Sequence, residues 1–267
     1  MYLVDYHTHT CCSPDSEAPL ADMAETACRV GLTELCTTDH YDLLLEDGTP
    51  WERWDWSPVL EQYRAAAPAV PPGFRLLLGL ELGGAHLDPG KAQGILDGAP
   101  LDFIIGSVHN LDPSAGGIDF YHVPYPTREA AATALDDYFA SLLALAPLPC
   151  YDALGHIIYP LRYINGRAGH TITLEPWADQ LDALLRTVVE TGRAIEVNTC
   201  RGREVENWRS ILKRYRELGG ELVTTGSDAH RPEDVGKGLE QAADLLRETG
   251  FRYLTLYRQR QPEPIKL

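Results

Sequence analysis

Six of the nine histidines stand in short polar clusters that close apolar runs, and carboxylates stand with them. In Asp5-Tyr6-His7-Thr8-His9, alternation along a strand points His7 and His9 to the same side. Two imidazoles on one face form a pair of metal ligands, although such a pair alone is equally a surface or core feature. Asp15 follows in the loop Cys11–Asp15, as a ligand or as a turn carboxylate beside Pro14. The run Thr37-Thr38-Asp39-His40 presents one of its last two residues inward. His40 is the expected ligand, with Asp39 orienting its neighbours or satisfying backbone donors. Glu81 ends the run Leu76–Leu80, and an acid there is costly to bury unless it is paired or bound to metal. A bridging carboxylate resolves that cost. His109 closes Gly-Ser-Val-His, His156 closes Leu-Gly-His, and the spacing in Ser227-Asp228-Ala229-His230 puts Asp228 and His230 on one side. The alternative, unrelated polar residues in loops, does not account for so many coincident strand ends.

The remaining histidines, His86, His122 and His170, lie in apparent loops and are expected to be structural or exposed. His122, after His109, is the one placed near a substrate. Cys11 and Cys12 share the Asp15 loop, but the histidines and carboxylates fill a cluster without thiolates.

The elements that must position these residues alternate. Candidate strands are Leu3–Tyr6, Leu35–Thr38, Leu76–Leu80, Phe103–Ser107, Ala153–Leu154, Ala194–Val197, Leu222–Thr225 and Tyr253–Leu256. Between them, Ala18–Val30, Asp55–Ala67, Thr127–Leu145, Glu175–Thr191, Glu204–Leu218 and Arg231–Glu248 read as helices. Pro19 and Pro58 suit first turns, and Gly31 and Gly219 suit C-terminal stops. Such alternation implies a parallel sheet, and a sheet closed into a barrel carries its site at the strands' C-terminal ends. The 267 residues are an ordinary length for one α/β barrel, so a single domain over 1–267 is expected.

The net charge of −16 repels a phosphate backbone, which argues against nucleic acid as a partner. A small anion is not excluded, because bound cations dominate the field around them. No 18-residue apolar stretch and no leader-like N-terminus are present, so no membrane association and a cytoplasmic location are expected. The six cysteines form no CxxC pair, so neither disulfides nor a zinc knuckle is expected. Trp51, Trp54 and Trp56 cluster as a lid, a partner surface or barrel packing.

HTH, TTDH, an isolated strand-end Glu, GSVH, GH and SDAH follow in that order from residue 7 to residue 230. This pattern resembles the polymerase and histidinol phosphatase (PHP) family. SVHNLDPSAGGIDFY, GHIIYPLRY and the closing GFRYLTLYRQRQPEPIKL look like its histidinol-phosphatase branch. The resemblance implies a single distorted (β/α)7 TIM-like barrel of the α/β class with two to three divalent metal ions. Carried over residue by residue, it implies one metal on His7, His9, Glu81 and Asp228, a second on Glu81, His109 and His156, and a third on Asp15, His40 and His230. It implies phosphate-gripping arginines at Arg162 and Arg201, with Arg203 competing for the second role. Glu196 and Asn198, on one face of the strand before Arg201, are expected either to touch the amine end of a substrate or to pack at the strand end.

Histidine and carboxylate ligands suit zinc, manganese or iron. Metals about 3.5–4 Å apart share a water and lower its pKa, so a hydroxide attacks phosphorus in line, with Arg201 neutralising oxygens and Asp39 as candidate leaving-group acid. The resemblance to the histidinol-phosphatase branch then implies a hydrolase for a small phosphorylated substrate, L-histidinol phosphate, in histidine biosynthesis. The alternatives are another small phosphoester, a nuclease, or a non-catalytic metal-binding barrel.

Overall fold

The computed structural model describes residues 2–267, and Met1 of the expected 1–267 domain lies outside them. Seven parallel strands form the barrel: β1 (Val4–Asp5), β2 (Glu34–Thr37), β4 (Arg75–Gly83), β5 (Phe103–Ser107), β6 (Ala153–Leu154), β7 (Ala194–Asn198) and β8 (Val223–Gly226), paired in that order. A short strand, β3 (His40–Asp42), adds to β4 beyond the end of β2. The ring closes without a formal β1–β8 ladder. Tyr6 N donates to Thr225 O at 3.0 Å, Asp228 N to His7 O at 2.9 Å, and His9 N to Ala229 O at 2.9 Å. These bonds continue past both strands, so the closing seam carries three of the expected ligands.

Strand β4 is the longest, and all its residues but Arg75 are buried. It reads as a continuous apolar run because a parallel barrel buries both faces of each strand. Its first half pairs with β2 and its second half with β3 and β5. The register sets His40 level with Glu81.

The outer ring contains α1 (Leu20–Arg29), α2 (Ser57–Ala66), α3 (Pro89–Leu96), α4 (Arg128–Leu145), α6 (Ala178–Glu190), α7 (Arg209–Glu217) and α8 (Leu239–Glu248). After β6 the chain makes a single turn, α5 (Tyr159–Leu161), that widens into a π-helical turn over Arg162–Arg167. No described helix is long and apolar enough to cross a membrane.

Three helical expectations are shortened at their starts. Glu175–Trp177, Val205–Trp208 and Pro232–Asp234 are 3-10 turns that precede α6, α7 and α8. Gly236 and Gly238, both at positive φ, separate the last turn from its helix. The eighth candidate strand, Tyr253–Leu256, is not in the barrel. It forms β9 (Tyr253–Arg258), antiparallel to β10 (Gln261–Lys266), in a C-terminal hairpin. Gln259 and Arg260 take positive φ at its two-residue turn, the primed geometry that matches strand twist. Strands β3 and β10 and helices α3 and α5 have no counterpart in the sequence reading.

The three tryptophans pack on the barrel wall. Trp51 and Trp54 each lie 5.3 Å from the ring of buried Tyr41, and Trp56 Nε1 donates to Ile95 O at 2.8 Å.

Candidate metal centre

Glu81 lies at the middle of the barrel mouth with no solvent exposure. Its two oxygens face different donors. Oε2 is 3.0 Å from His7 Nε2 and 3.5 Å from His9 Nε2, while Asp228 Oδ1 lies 3.8 and 3.7 Å from those same nitrogens. Oε1 is 3.1 Å from His109 Nε2 and 2.8 Å from His156 Nε2, which are themselves 3.2 Å apart. Donors around a tetrahedral ion at ordinary metal–ligand lengths sit about 3.4 Å from one another. Both groups have that spacing, so each fits one ion.

A third group is more open. Asp15 Oδ2 is 2.8 Å from His230 Nε2 and 3.8 Å from His40 Nε2. The rings of His40 and His230 stack on opposite sides of His9, with centroids 4.2 and 4.1 Å away. His9 Nε2, His40 Nδ1 and His230 Nε2 are buried and make no aligned hydrogen bond, although carboxylate oxygens stand 3.5, 3.1 and 2.8 Å from them. Orphaned imidazole nitrogens converging on carboxylates are what a cation would satisfy, so the residues present fit divalent metal ions.

The charges agree with that reading. Burial alone would raise Glu81, but His7, His40 and His109 hold its carboxyl well below the usual range. Burial opposes Asp228 in the same way, and His7 and Arg162 hold it well below its ordinary value. Burial and the neighbouring His230, His40 and His7 push His9 well down, leaving its imidazole neutral. Against burial, the surrounding carboxylates push His7, His109 and His230 up, so a cation entering the site would displace those protons to reach the ionised carboxylates and neutral imidazoles that coordination requires.

Outer partners fix the ring orientations. His7 Nδ1 contacts Glu196 Oε1 at 2.6 Å, His9 Nδ1 contacts Ser13 Oγ at 3.2 Å, and His109 Nδ1 contacts Asp42 Oδ1 at 2.6 Å. Asp42 was not singled out in the sequence. Its signal is the spacing already used for His7 and His9, since His40 and Asp42 are two apart on β3.

All nine expected ligands therefore meet at one mouth, drawn from five barrel strand ends (β1, β4, β5, β6 and β8), the loop after β1, and β3. The expectations around them fare differently. Asp39 is buried beside the site rather than in it. Its carboxylate accepts from Thr10 N at 2.6 Å, Thr10 Oγ1 at 2.9 Å, Ser13 Oγ at 2.8 Å and Thr37 Oγ1 at 3.2 Å. A carboxylate with four donors braces the β1 loop, and Asp39 does not line the central cavity. Glu196 and Asn198 are buried beneath the histidines and do not line the central cavity. Glu196 also accepts from His156 N, and Asn198 Oδ1 accepts from Cys200 N. His122 sits outside the cavity, 45% exposed and 3.0 Å from Glu46 Oε2.

The central cavity, about 590 Å³, is lined by both signs of charge. Arg162 and Arg201 line it together with Asp42, Glu46, Asp119, Tyr121 and Tyr159, and the Arg162 guanidinium lies 5.6 Å over the Tyr159 ring. Arg201 has no side-chain acceptor among the described residues, and its Nε is buried and unpaired. Arg203 turns away, with its guanidinium on Cys200 O and Sγ. Asp119 and Tyr159, also missed in the sequence, hydrogen-bond to each other at 3.0 Å, and burial pushes the Asp119 carboxyl up. Cys11 is exposed, and Cys12 Sγ accepts from Gln62 Nε2, so neither thiol joins the cluster.

The PHP domain family model matches residues 5–200. A probable histidinol-phosphatase of Clostridium acetobutylicum is 30% identical over 93% of this chain and 94% of its own length. One of Deinococcus radiodurans is 32% identical over 98% of this chain and 99% of its own. Among solved structures, histidinol phosphate phosphatase from Lactococcus lactis, complexed with zinc, L-histidinol and phosphate, superposes with a TM-score of 0.86 at 23% identity, covering 98% of both chains. That likeness speaks for the fold.

Proposed function

The chain belongs to the PHP domain family, and on that premise we propose that it is a metal-dependent histidinol-phosphatase, converting L-histidinol phosphate and water to L-histidinol and phosphate. The observation that carries the chemistry is Glu81, one carboxylate facing two separate donor groups, beside the unpaired guanidinium of Arg201. The substrate rests on the named relatives, which match over nearly their whole length.

Divalent zinc, manganese or iron ions, held by His7, His9, Glu81 and Asp228, by Glu81, His109 and His156, and by Asp15, His40 and His230, would supply Lewis acidity and an acidified water. The chain's own residues do the rest. Arg201 neutralises phosphate oxygens from the cavity wall, where charge redistributes during transfer. Glu196, Ser13 and Asp42 keep His7, His9 and His109 aimed inward. Asp42, Glu46 and Asp119 give the cavity negative charge suited to the ammonium of histidinol, and Tyr121 offers an aromatic ring to its imidazole. One domain carries the whole reaction, in the cytoplasm, as a step of histidine biosynthesis.

The test is phosphate release from L-histidinol phosphate by purified manganese-loaded protein, beside a panel of other monoesters and an Asp228→Ala/His230→Ala double variant. A kcat/KM for histidinol phosphate higher by orders of magnitude, lost in the variant, supports the proposal. Preference for another ester overturns the substrate and keeps the chemistry. No turnover with any metal leaves a binding protein.

A further inference from the structure

The segment Asp119–Tyr125 crosses the rim of the central cavity, and Asp119 and Tyr121 are its two residues in the cavity wall. This strap has no helix or strand of its own. Its return toward α4 runs through Tyr125, a buried non-glycine residue at φ 49°. Such a conformation persists only where the surroundings over-determine it. Much of what surrounds the strap is one stretch of chain, the turns and loop that follow β6. Tyr159 Oη donates to Asp119 Oδ1 at 3.0 Å, and His170 Nε2 donates to Tyr125 O at 2.8 Å. Between them Arg167, the last residue of the π-helical turn, donates one Nη to Tyr121 O and the other to Val123 O, the latter at 2.8 Å.

Arg167 does more than tie two carbonyls. Its guanidinium lies 5.2 Å from the ring centroids of both Tyr121 and Tyr163, and those two rings meet edge to face at 5.3 Å. Tyr163 in turn meets Tyr159 at 5.1 Å, and Tyr159 lies 4.9 Å from the ring of His156. A continuous row of rings therefore runs from the metal-binding groups to the rim, and its outermost member, Tyr121, is 51% exposed. Arg167 is itself exposed and does not line the central cavity. An exposed arginine ordinarily keeps its rotamer freedom. This one is held on two carbonyls and two rings, and every one of them belongs to the strap or to the ring that touches it. A planar fork that spans two acceptors and packs on rings is a use of arginine that lysine does not match.

The strap presents an acid and an aromatic ring to the cavity, and Glu46, whose backbone oxygen accepts from Asp119 N at 3.0 Å, adds a second acid. Such a surface repels a phosphoryl group and suits a cationic or aromatic organic group. We propose that Arg167 is a specificity-determining positioning residue: it latches the strap over the mouth so that Tyr121 closes on the ring of the ester's organic part, and selectivity among phosphomonoesters depends on that latch. The proposal rests on the histidinol-phosphatase reading above and concerns its leaving-group end. Arg167 has no part in phosphoryl transfer. The contact it supports binds ester and transition state alike, so its loss raises KM and leaves kcat.

The experiment is calorimetric titration of L-histidinol, and separately of inorganic phosphate, into manganese-loaded wild type, Arg167→Ala, Arg167→Lys and Tyr121→Ala, with kcat and KM for L-histidinol phosphate measured alongside. In Arg167→Ala, L-histidinol binding is expected to weaken by about tenfold, the scale of one aromatic contact. KM rises with it, while kcat and phosphate affinity stay within about twofold of wild type. Arg167→Lys, which keeps the charge and loses the fork, falls between the two. Tyr121→Ala loses as much as Arg167→Ala, and the double variant loses no more than Tyr121→Ala alone, because residues that act as a unit are not additive. Unchanged L-histidinol affinity in Arg167→Ala overturns the proposal. A fall in kcat or in phosphate affinity also overturns it, since Arg167 would then act on the transfer site itself. Additive losses in the double variant do the same, since Arg167 would then act through something other than Tyr121. A wild type that binds phosphate but not L-histidinol defeats the substrate reading and the latch with it, whereas wild-type binding that Arg167→Ala leaves intact defeats the latch alone.

Discussion

Glu81 separates two kinds of residue around this centre, those whose own atoms face a metal and those that aim such atoms. Glu81→Gln replaces one of its oxygens with an amide nitrogen, which cannot serve the second donor group. The expected outcome is loss of more than one metal equivalent per chain, read by elemental analysis of the purified variant. Retention of the full complement would show that the two groups do not share this carboxylate. Asp42→Asn acts one step further out. It removes the charge that fixes His109 Nδ1 and leaves every facing atom in place, so metal affinity or activity should fall by about 10–100-fold. Competition with a chelator checks it. Arg201→Lys belongs to the substrate side. A lysine keeps the charge but loses the planar fork that matches phosphate. kcat/KM should fall by about 10²–10³ with metal content unchanged, and a fall in metal content would move Arg201 out of the substrate's path.

The elements set how closely those residues can approach. At Gly226, the last residue of β8, a Cβ would stand 2.3 Å from His7 Cβ and 2.7 Å from Glu196 Oε1. Gly226→Ala therefore forces β1 and β8 apart along the closing seam. A cost of about 1–3 kcal/mol is expected for such overpacking, together with loss of activity, because His7 moves with the backbone. A thermal melt and an assay on the same sample check it, and full activity with an unchanged melt would mean that the seam yields elsewhere. This seam also marks what could be read from the sequence. Period-two spacing gave the face of His7 with His9 just beyond β1, whereas Asp228, past the end of β8, takes a left-handed φ of 60° and meets His230 through that turn rather than through extended backbone. The same rule applied to His40 and Asp42 was overlooked because β3 is only three residues long and follows β2 without a turn signal. Asp119 carries no local signal. It reaches the cavity wall from an irregular loop, where only the fold decides direction. Arg162 was placed by family resemblance, yet its three protein acceptors come from two other strand ends and a loop far along the chain, and no sequence spacing predicts them. Tyr253–Leu256 was read as a strand and is one, within β9. The turn at Gln259 and Arg260, with Pro262 and Pro264 beyond it, makes it part of a hairpin. A proline-bearing strand belongs at an edge.

The hairpin matters at the scale of the whole molecule, because it closes the barrel at the end opposite the metal centre. Glu34 is fully buried there, accepting from Tyr2 Oη at 2.6 Å and Tyr6 Oη at 2.8 Å and paired with Arg258 from the hairpin turn. Arg260 Nη2, two residues on, lies 3.1 Å from buried Asp152 Oδ1. Leu254, Leu256 and Tyr257 of β9 are buried in the main core. The barrel thus has two buried acidic ends. The upper one carries histidines and fits metal ions, and the lower one is neutralised by two arginines arriving last in the chain. Arg258→Ala leaves Glu34 with tyrosine donors and the more distant Arg75, 3.6 Å away and largely exposed. Removing one partner of a buried pair costs more than the pair contributes, so a loss of about 3 kcal/mol is expected. At about 2–4 °C per kcal/mol for a chain of this size, Tm should fall by roughly 6–12 °C. kcat and metal content at 25 °C should stay at wild-type values, since the substitution is at the other end of every strand that carries a ligand. Arg201→Lys should show the reverse, with activity lost and Tm retained. Melting curves and kcat measured for both variants check the separation. If Arg258→Ala instead lost metal while folded, the two ends of the barrel would be coupled through β1 and β2, and the hairpin would be part of the functional site rather than a closure of the fold.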